Sequence, residues 1–145
     1  MMRKTAFIVL FVLSLSFAAR AEGRHAVHVL SIGPGEHLFT IFGHIALMDE
    51  NLETGAKLVY NFGEFDFNQP NLIERYALGT LKYWVAVSAY DRLIRGCEKS
   101  GRRLVDRTLN LSDDQIVFLS SELRKSTSPE NREYAYNHFT NNCCT

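Results

Sequence analysis

Apolar and polar positions divide the chain into a leading apolar run and a longer patterned stretch. Residues 6–19 are apolar apart from Ser14 and Ser16. Beyond them, short strand-like runs recur at 26–32, 45–48 and 58–62, the first ended by the turn residues Gly33-Pro34-Gly35. The polar stretch 49–57, with Gly55, joins the last two as a hairpin connection does. Residues 36–42 read as a short helix or ordered loop leading into Gly43-His44, and 63–69 as a loop pinned by Phe62, Phe65 and Phe67. Pro70 suits the first turn of a helix over 71–78, with Leu72, Ile73, Tyr76 and Ala77 on one face and a stop at Gly79. The run 83–90 is the most strand-like in the chain, and 103–111 alternates as a strand does. Ser112 and Gln115 form a capping box ahead of a helix over 113–125, which turns Ile116, Leu119 and Leu123 inward with Val117 and Phe118 alongside. A last segment opens at Pro129 and carries Tyr134, Tyr136 and Phe139 up to Asn142-Cys143-Cys144-Thr145. The pattern predicts an α+β domain, with strands near each end and helices between them, and shows no internal repeat or long linker.

The leading run changes where that domain is expected to work. Met1-Met2-Arg3-Lys4 is a short basic start, and the apolar run ends at Ala19-Arg20-Ala21, small residues at the two positions a signal peptidase reads. The run falls short of the roughly 20 apolar residues of a membrane span. Residues 1–21 are therefore expected to be a cleaved secretory signal peptide, and residues 22–145 a single small domain outside the cytoplasm. The chain holds 16 basic and 16 acidic residues; loss of Arg3, Lys4 and Arg20 leaves 13 basic residues and a net charge of −3. That balance argues against a nucleic-acid partner, which asks for a basic face. Plentiful apolar residues exclude a disordered chain.

Three cysteines, Cys97, Cys143 and Cys144, raise the chemistry. Adjacent cysteines bridge only under strain, so the structural alternative is a disulfide from Cys97 to one of the pair. Zinc held by His138, Cys143 and Cys144 lacks the separated ligand pairs of a zinc site, and no metal or cofactor is expected. The catalytic alternative pairs a thiol with a histidine base and a polar group that orients the imidazole. Cys143, behind the helix-capping candidate Asn142, is placed for activation by helix amides, which lower a thiol pKa from about 8.5. His44, after Gly43, is the candidate base. Asn61, on the strand returning from that of His44, is the candidate orienter, with Glu36 and Tyr60 as rivals. His25, His28, His37 and His138 carry no functional weight. The plain alternative makes His44 a loop or core histidine and Cys143 a small apolar residue.

Seven segments, in order, sharpen the choice: Gly33-Pro34-Gly35-Glu36; Phe42-Gly43-His44-Ile45-Ala46-Leu47; Val59-Tyr60-Asn61-Phe62-Gly63-Glu64-Phe65-Asp66-Phe67; Gly79-Thr80-Leu81-Lys82-Tyr83; Leu109-Asn110-Leu111; Pro129-Glu130-Asn131-Arg132-Glu133-Tyr134; and Asn142-Cys143-Cys144-Thr145. In these the chain resembles the Lnb N-terminal periplasmic domain family. The resemblance implies a permuted papain-like (NlpC-type) fold, with antiparallel strands and flanking helices and with the histidine ahead of the cysteine. It implies thiol-based acyl transfer, with His44 as base and Cys143 as nucleophile. It also implies a membrane phospholipid as donor and the amine of a lipoprotein as acceptor. Cys144 stands where the family more often has a small residue, and is read as a bystander.

Family members continue past the cysteine, many toward membrane segments. With nothing at Thr145 marking a natural end, the chain is expected to be the N-terminal part of such a protein. A lipid or peptide hydrolase of the same class and a non-catalytic periplasmic interaction domain are the other two readings. A shared family does not fix a substrate.

Overall fold

The strand-like runs assemble edge to edge. The computed structural model describes residues 24–135. In it β1 (His25–Ile32), β2 (His44–Asn51), β3 (Lys57–Glu64), β4 (Lys82–Ala89), β5 (Leu104–Thr108) and β6 (Glu133–Ala135) form a six-stranded sheet in the order β5-β1-β2-β3-β4-β6. All neighbours pair antiparallel. The described helices are α1 (Leu72–Ala77), α2 (Tyr90–Lys99) and α3 (Asp113–Lys125).

Strand alternation sends successive side chains to opposite faces, and each face carries its own core. On one face Leu30, Ala46, Met48 and Val59 are buried beneath Tyr90 and Leu93 of α2, with Leu104 of β5 beside them. On the other, Tyr60 and Val85 pack with Leu123 of α3, and Leu47, Phe62, Leu119 and Tyr134 surround them. Burial of a side chain such as Leu30 or Met48 stabilises the fold by roughly 1.5–3 kcal/mol. A polar tie reinforces the second face: buried Asp49 accepts from His25 Nδ1 at 2.6 Å and lies 3.7 Å from Arg124 of α3.

Several expected elements shift. The polar stretch after Met48 stays in the ladder as far as Asn51, because Asp49 and Glu50 find partners there, and the turn occupies only 52–56. Pro70 lies outside the helix: Asn71 caps α1 in the left-handed conformation (φ 54°), and the helix runs six residues with none buried. The strand expected over 103–111 is shorter, and Tyr90 begins α2 instead of ending a strand. Strands are not gathered near the ends of the chain; consecutive hairpins make them the centre of the domain. The α3 capping box forms as expected, but Val117 and Phe118 face solvent. The segment 1–21 and the terminal stretch with Tyr136, His138, Phe139, Cys143 and Cys144 lie outside the described residues.

Candidate active site

His44 is the first residue of β2, and Gly43 puts it there. Gly43 has φ +77°, and a Cβ on it would come within 2.7 Å of the Ile32 carbonyl oxygen. Only glycine fits that close approach of loop to strand. The Gly43 amide donates to the Thr40 carbonyl at 3.0 Å, closing the loop that starts at Gly33. His44 then pairs with Ile32 across the β1–β2 ladder.

Asn61 reaches it through the next ladder. Leu47 pairs with Tyr60, and continuing that antiparallel register sets Asn61 across from Ala46, two residues from His44 on the same face. Asn61 is buried, lines the same cleft as His44 and lies close enough to its ring to influence its charge. The same alternation sends Tyr60 to the opposite face, against Val85 and Leu123. Glu36 is exposed in the loop before β2. Of the three candidates for the polar group, the geometry brings Asn61 to the imidazole and carries the other two away from it.

The imidazole pKa lies below its ordinary 6.5. Burial, which disfavours the charged ring, is the main cause, and the nearby positive charge of Arg102 acts in the same sense. The Asn61 side chain, whose amide oxygen favours the charged ring as an acceptor, opposes both. At neutral pH the ring is therefore uncharged and able to take a proton.

The pair lines a cleft of about 420 Å³ at one end of the sheet. Its walls include Glu64 at the end of β3, Ser88 of β4, Arg92 and Cys97 of α2, and Arg102 just beyond α2. Among the described residues Cys97 is a free, buried thiol; Cys143 and Cys144, the partners in the alternative bridge, lie outside them. Burial pushes its pKa up, against a weaker downward pull from Arg102. It also sits near the C-terminal end of α2, where the helix dipole disfavours a thiolate. Cys97 is a packing residue at this cleft.

Sequence reading missed Arg92, and did not place Cys97 in a cleft wall, because it left α2 unassigned. The signal was present: Tyr90, Leu93 and Cys97 recur at helical spacing and turn toward the sheet. Nothing comparable marked Arg102. The histidines set aside serve the sheet instead. His28 lies between Asp106 (2.8 Å, Nδ1) and Glu50 (3.1 Å, Nε2), tying β1 to both of its neighbours. Among the described residues, no group of three or more His, Cys, Asp or Glu side chains is placed to hold a metal.

Fold and site together define a small α+β domain with a histidine–asparagine pair set in a cleft at the end of an antiparallel sheet. The chain belongs to the Lnb N-terminal periplasmic domain family, whose model matches residues 16–145. Membership in that family points to a periplasmic location. No curated protein and no solved structure matches the chain.

Proposed function

We propose that the chain carries the catalytic half of a periplasmic thiol acyltransferase with a permuted papain-like arrangement, in which base precedes nucleophile. The observation that carries this reading is the placing of His44 and Asn61 side by side on one face of the β2–β3 hairpin, in the wall of an open cleft.

His44 takes the proton of the Cys143 thiol, and Asn61 fixes the plane of the imidazole. The thiolate attacks an ester carbonyl of a phospholipid. The ester C–O bond breaks, the lysolipid oxygen leaves with the proton held by His44, and a thioester forms on Cys143. An amine, that of a lipoprotein N-terminus, then attacks the thioester. His44 receives its proton, the C–S bond breaks, and the thiolate is reprotonated as the amide leaves. Residues 1–21 serve as the export leader in this reading, and later segments of a longer protein provide the membrane anchor.

A lipid substrate finds support at the same end of the sheet. The loop before β2 exposes Leu38, Ile41 and Phe42, the loop after β3 exposes Phe67, and α1 with its cap exposes Ile73 and Leu78. Phe39 packs edge-on to Phe65, Phe67 and Tyr76, at centroid distances of 5.0, 5.7 and 5.2 Å, and so joins the three segments. An apolar surface of this kind at the same end of the sheet as the cleft suits an enzyme that draws substrate from a bilayer.

Purified chain, phospholipid vesicles and an amine-bearing peptide provide the test. The expected product is the N-acyl peptide, identified by mass, and Cys143→Ala and His44→Ala each reduce it to background. Normal product from either variant overturns the mechanism. Free fatty acid in place of acyl peptide shifts the assignment to a hydrolase.

A further inference from the structure

Arg102 lines the cleft next to His44 and is held there by its own hydrogen bonds. Its backbone amide donates to the Cys97 carbonyl at 2.9 Å, and its Nε donates to the Gly33 carbonyl at 2.8 Å. One edge of the guanidinium is thereby fixed. The other is not used: among the described residues, Nη2 is buried and has no hydrogen-bond partner. No carboxylate among the described residues lies within ion-pair distance of Arg102 or Arg92. Desolvating a guanidinium N–H without a partner is unfavourable, most of all for a charged group. A fold that nonetheless anchors this side chain so firmly holds an uncompensated positive charge at the cleft wall.

Arg92 of α2 adds a second positive charge to the wall. The single acid on it, Glu64, is exposed and screened by water. Two guanidinium groups without carboxylate partners, one of them half-buried, favour an oxyanion, and the planar fork of arginine matches phosphate geometry. The cleft volume exceeds that of a phosphate group alone, which leaves room for the rest of a larger molecule beside His44.

We propose that this cleft is a phosphate-ester site in which the Arg102 guanidinium is the principal donor and Arg92 the second positive charge. Resting on the acyl-transfer reading, the ester is the phosphodiester of the donor lipid. The phosphate is gripped by the arginines, and the short glycerol backbone sets an acyl carbonyl close to His44. Arg102 thus selects an anionic donor and sets its register. It takes no proton.

The full chain carrying Cys143→Ala, which binds without turnover, isolates this claim. The His44 ring is followed by NMR as inorganic phosphate is added. Bound phosphate offsets the field of Arg102, so the midpoint of the His44 titration moves up. Arg102→Lys keeps the charge but loses the fork, and Arg92→Gln leaves the anchoring bonds in place. Each weakens phosphate binding about tenfold or more, whereas Arg95→Gln, away from the cleft, binds as the parent does. No movement of His44 with phosphate overturns the proposal, as does equal binding by both cleft variants. Micelles of phosphatidylglycerol move His44 as phosphate does, and micelles of an uncharged acyl glycoside do not. A response to free phosphate alone retains the anion site and removes the lipid from it. Because Cys143 is absent from every arm, failure of acyl-enzyme chemistry leaves this result unaffected.

Discussion

Three residues set the site, and each has its own signature. Gly43 is required by backbone geometry. Gly43→Ala puts a Cβ against the Ile32 carbonyl at a positive φ, and is expected to cost about 1–3 kcal/mol in urea denaturation. His44 links stability to acidity. Its folded pKa lies below the unfolded value of about 6.5, so the unfolded chain binds the proton more readily. The contribution of His44 is complete above pH 6.5 and is lost as pH falls toward the folded value. His44→Gln should flatten the urea midpoint over that acid range, by a slope of up to about 1.4 kcal/mol per pH unit. Asn61 acts in the other direction: removing its amide in Asn61→Ala should lower the His44 midpoint further in an NMR titration. The Gly43–His44 step and the hairpin carrying Asn61 back toward it were legible in the sequence, but Glu36 and Tyr60 stood as rivals to Asn61 until the strand register separated them. Arg102 was not legible, since the role proposed for it lies in a missing partner, and an arginine pair after a glycine announces nothing of that.

Elements with chemical punctuation were the easier ones to place. The Ser112–Gln115 box forms on both sides: the Ser112 amide donates to Gln115 Oε1 at 2.9 Å, and the Gln115 amide donates to Ser112 Oγ at 3.4 Å. Ser112→Ala should lower stability by about 1 kcal/mol, read from the shift in denaturation midpoint at unchanged slope. By contrast α2 begins directly at the end of β4 with no side-chain cap, so a strand-like run flows into a helix without a boundary marker. Missing α2 meant missing one wall of the cleft. Polar residues misled at the other end of β2, where Asp49 and Glu50 resemble a turn but pair within the ladder with His25, His28 and Lys57. Tertiary partners decided those positions, and such partners are invisible to local pattern.

At the scale of the whole molecule, one end of the sheet collects what the proposed chemistry needs. β1 and β3 finish there, β2, β4 and β5 begin there, and α2 ends there. The cleft and the exposed apolar loops consequently share that end. Phe42 is 86% exposed, so Phe42→Ser should leave the urea midpoint nearly unchanged. The same change should weaken sedimentation with phospholipid vesicles by about tenfold, the loss of part of one aromatic side chain's transfer. Among the described residues no helix is long and apolar enough to cross a membrane; the exposed apolar loops make this end the proposed membrane contact. The pairing of His44 with Cys143 is the central claim, and the pH dependence of thiol alkylation tests it most directly. In a Cys144→Ser background, with modified peptides mapped by mass, Cys143 should react rapidly near pH 6 while buried Cys97 stays unlabelled. His44→Gln should slow Cys143 at least tenfold, toward an ordinary thiol of pKa about 8.5. Cys143 reacting at the same slow rate with and without His44 would contradict the account.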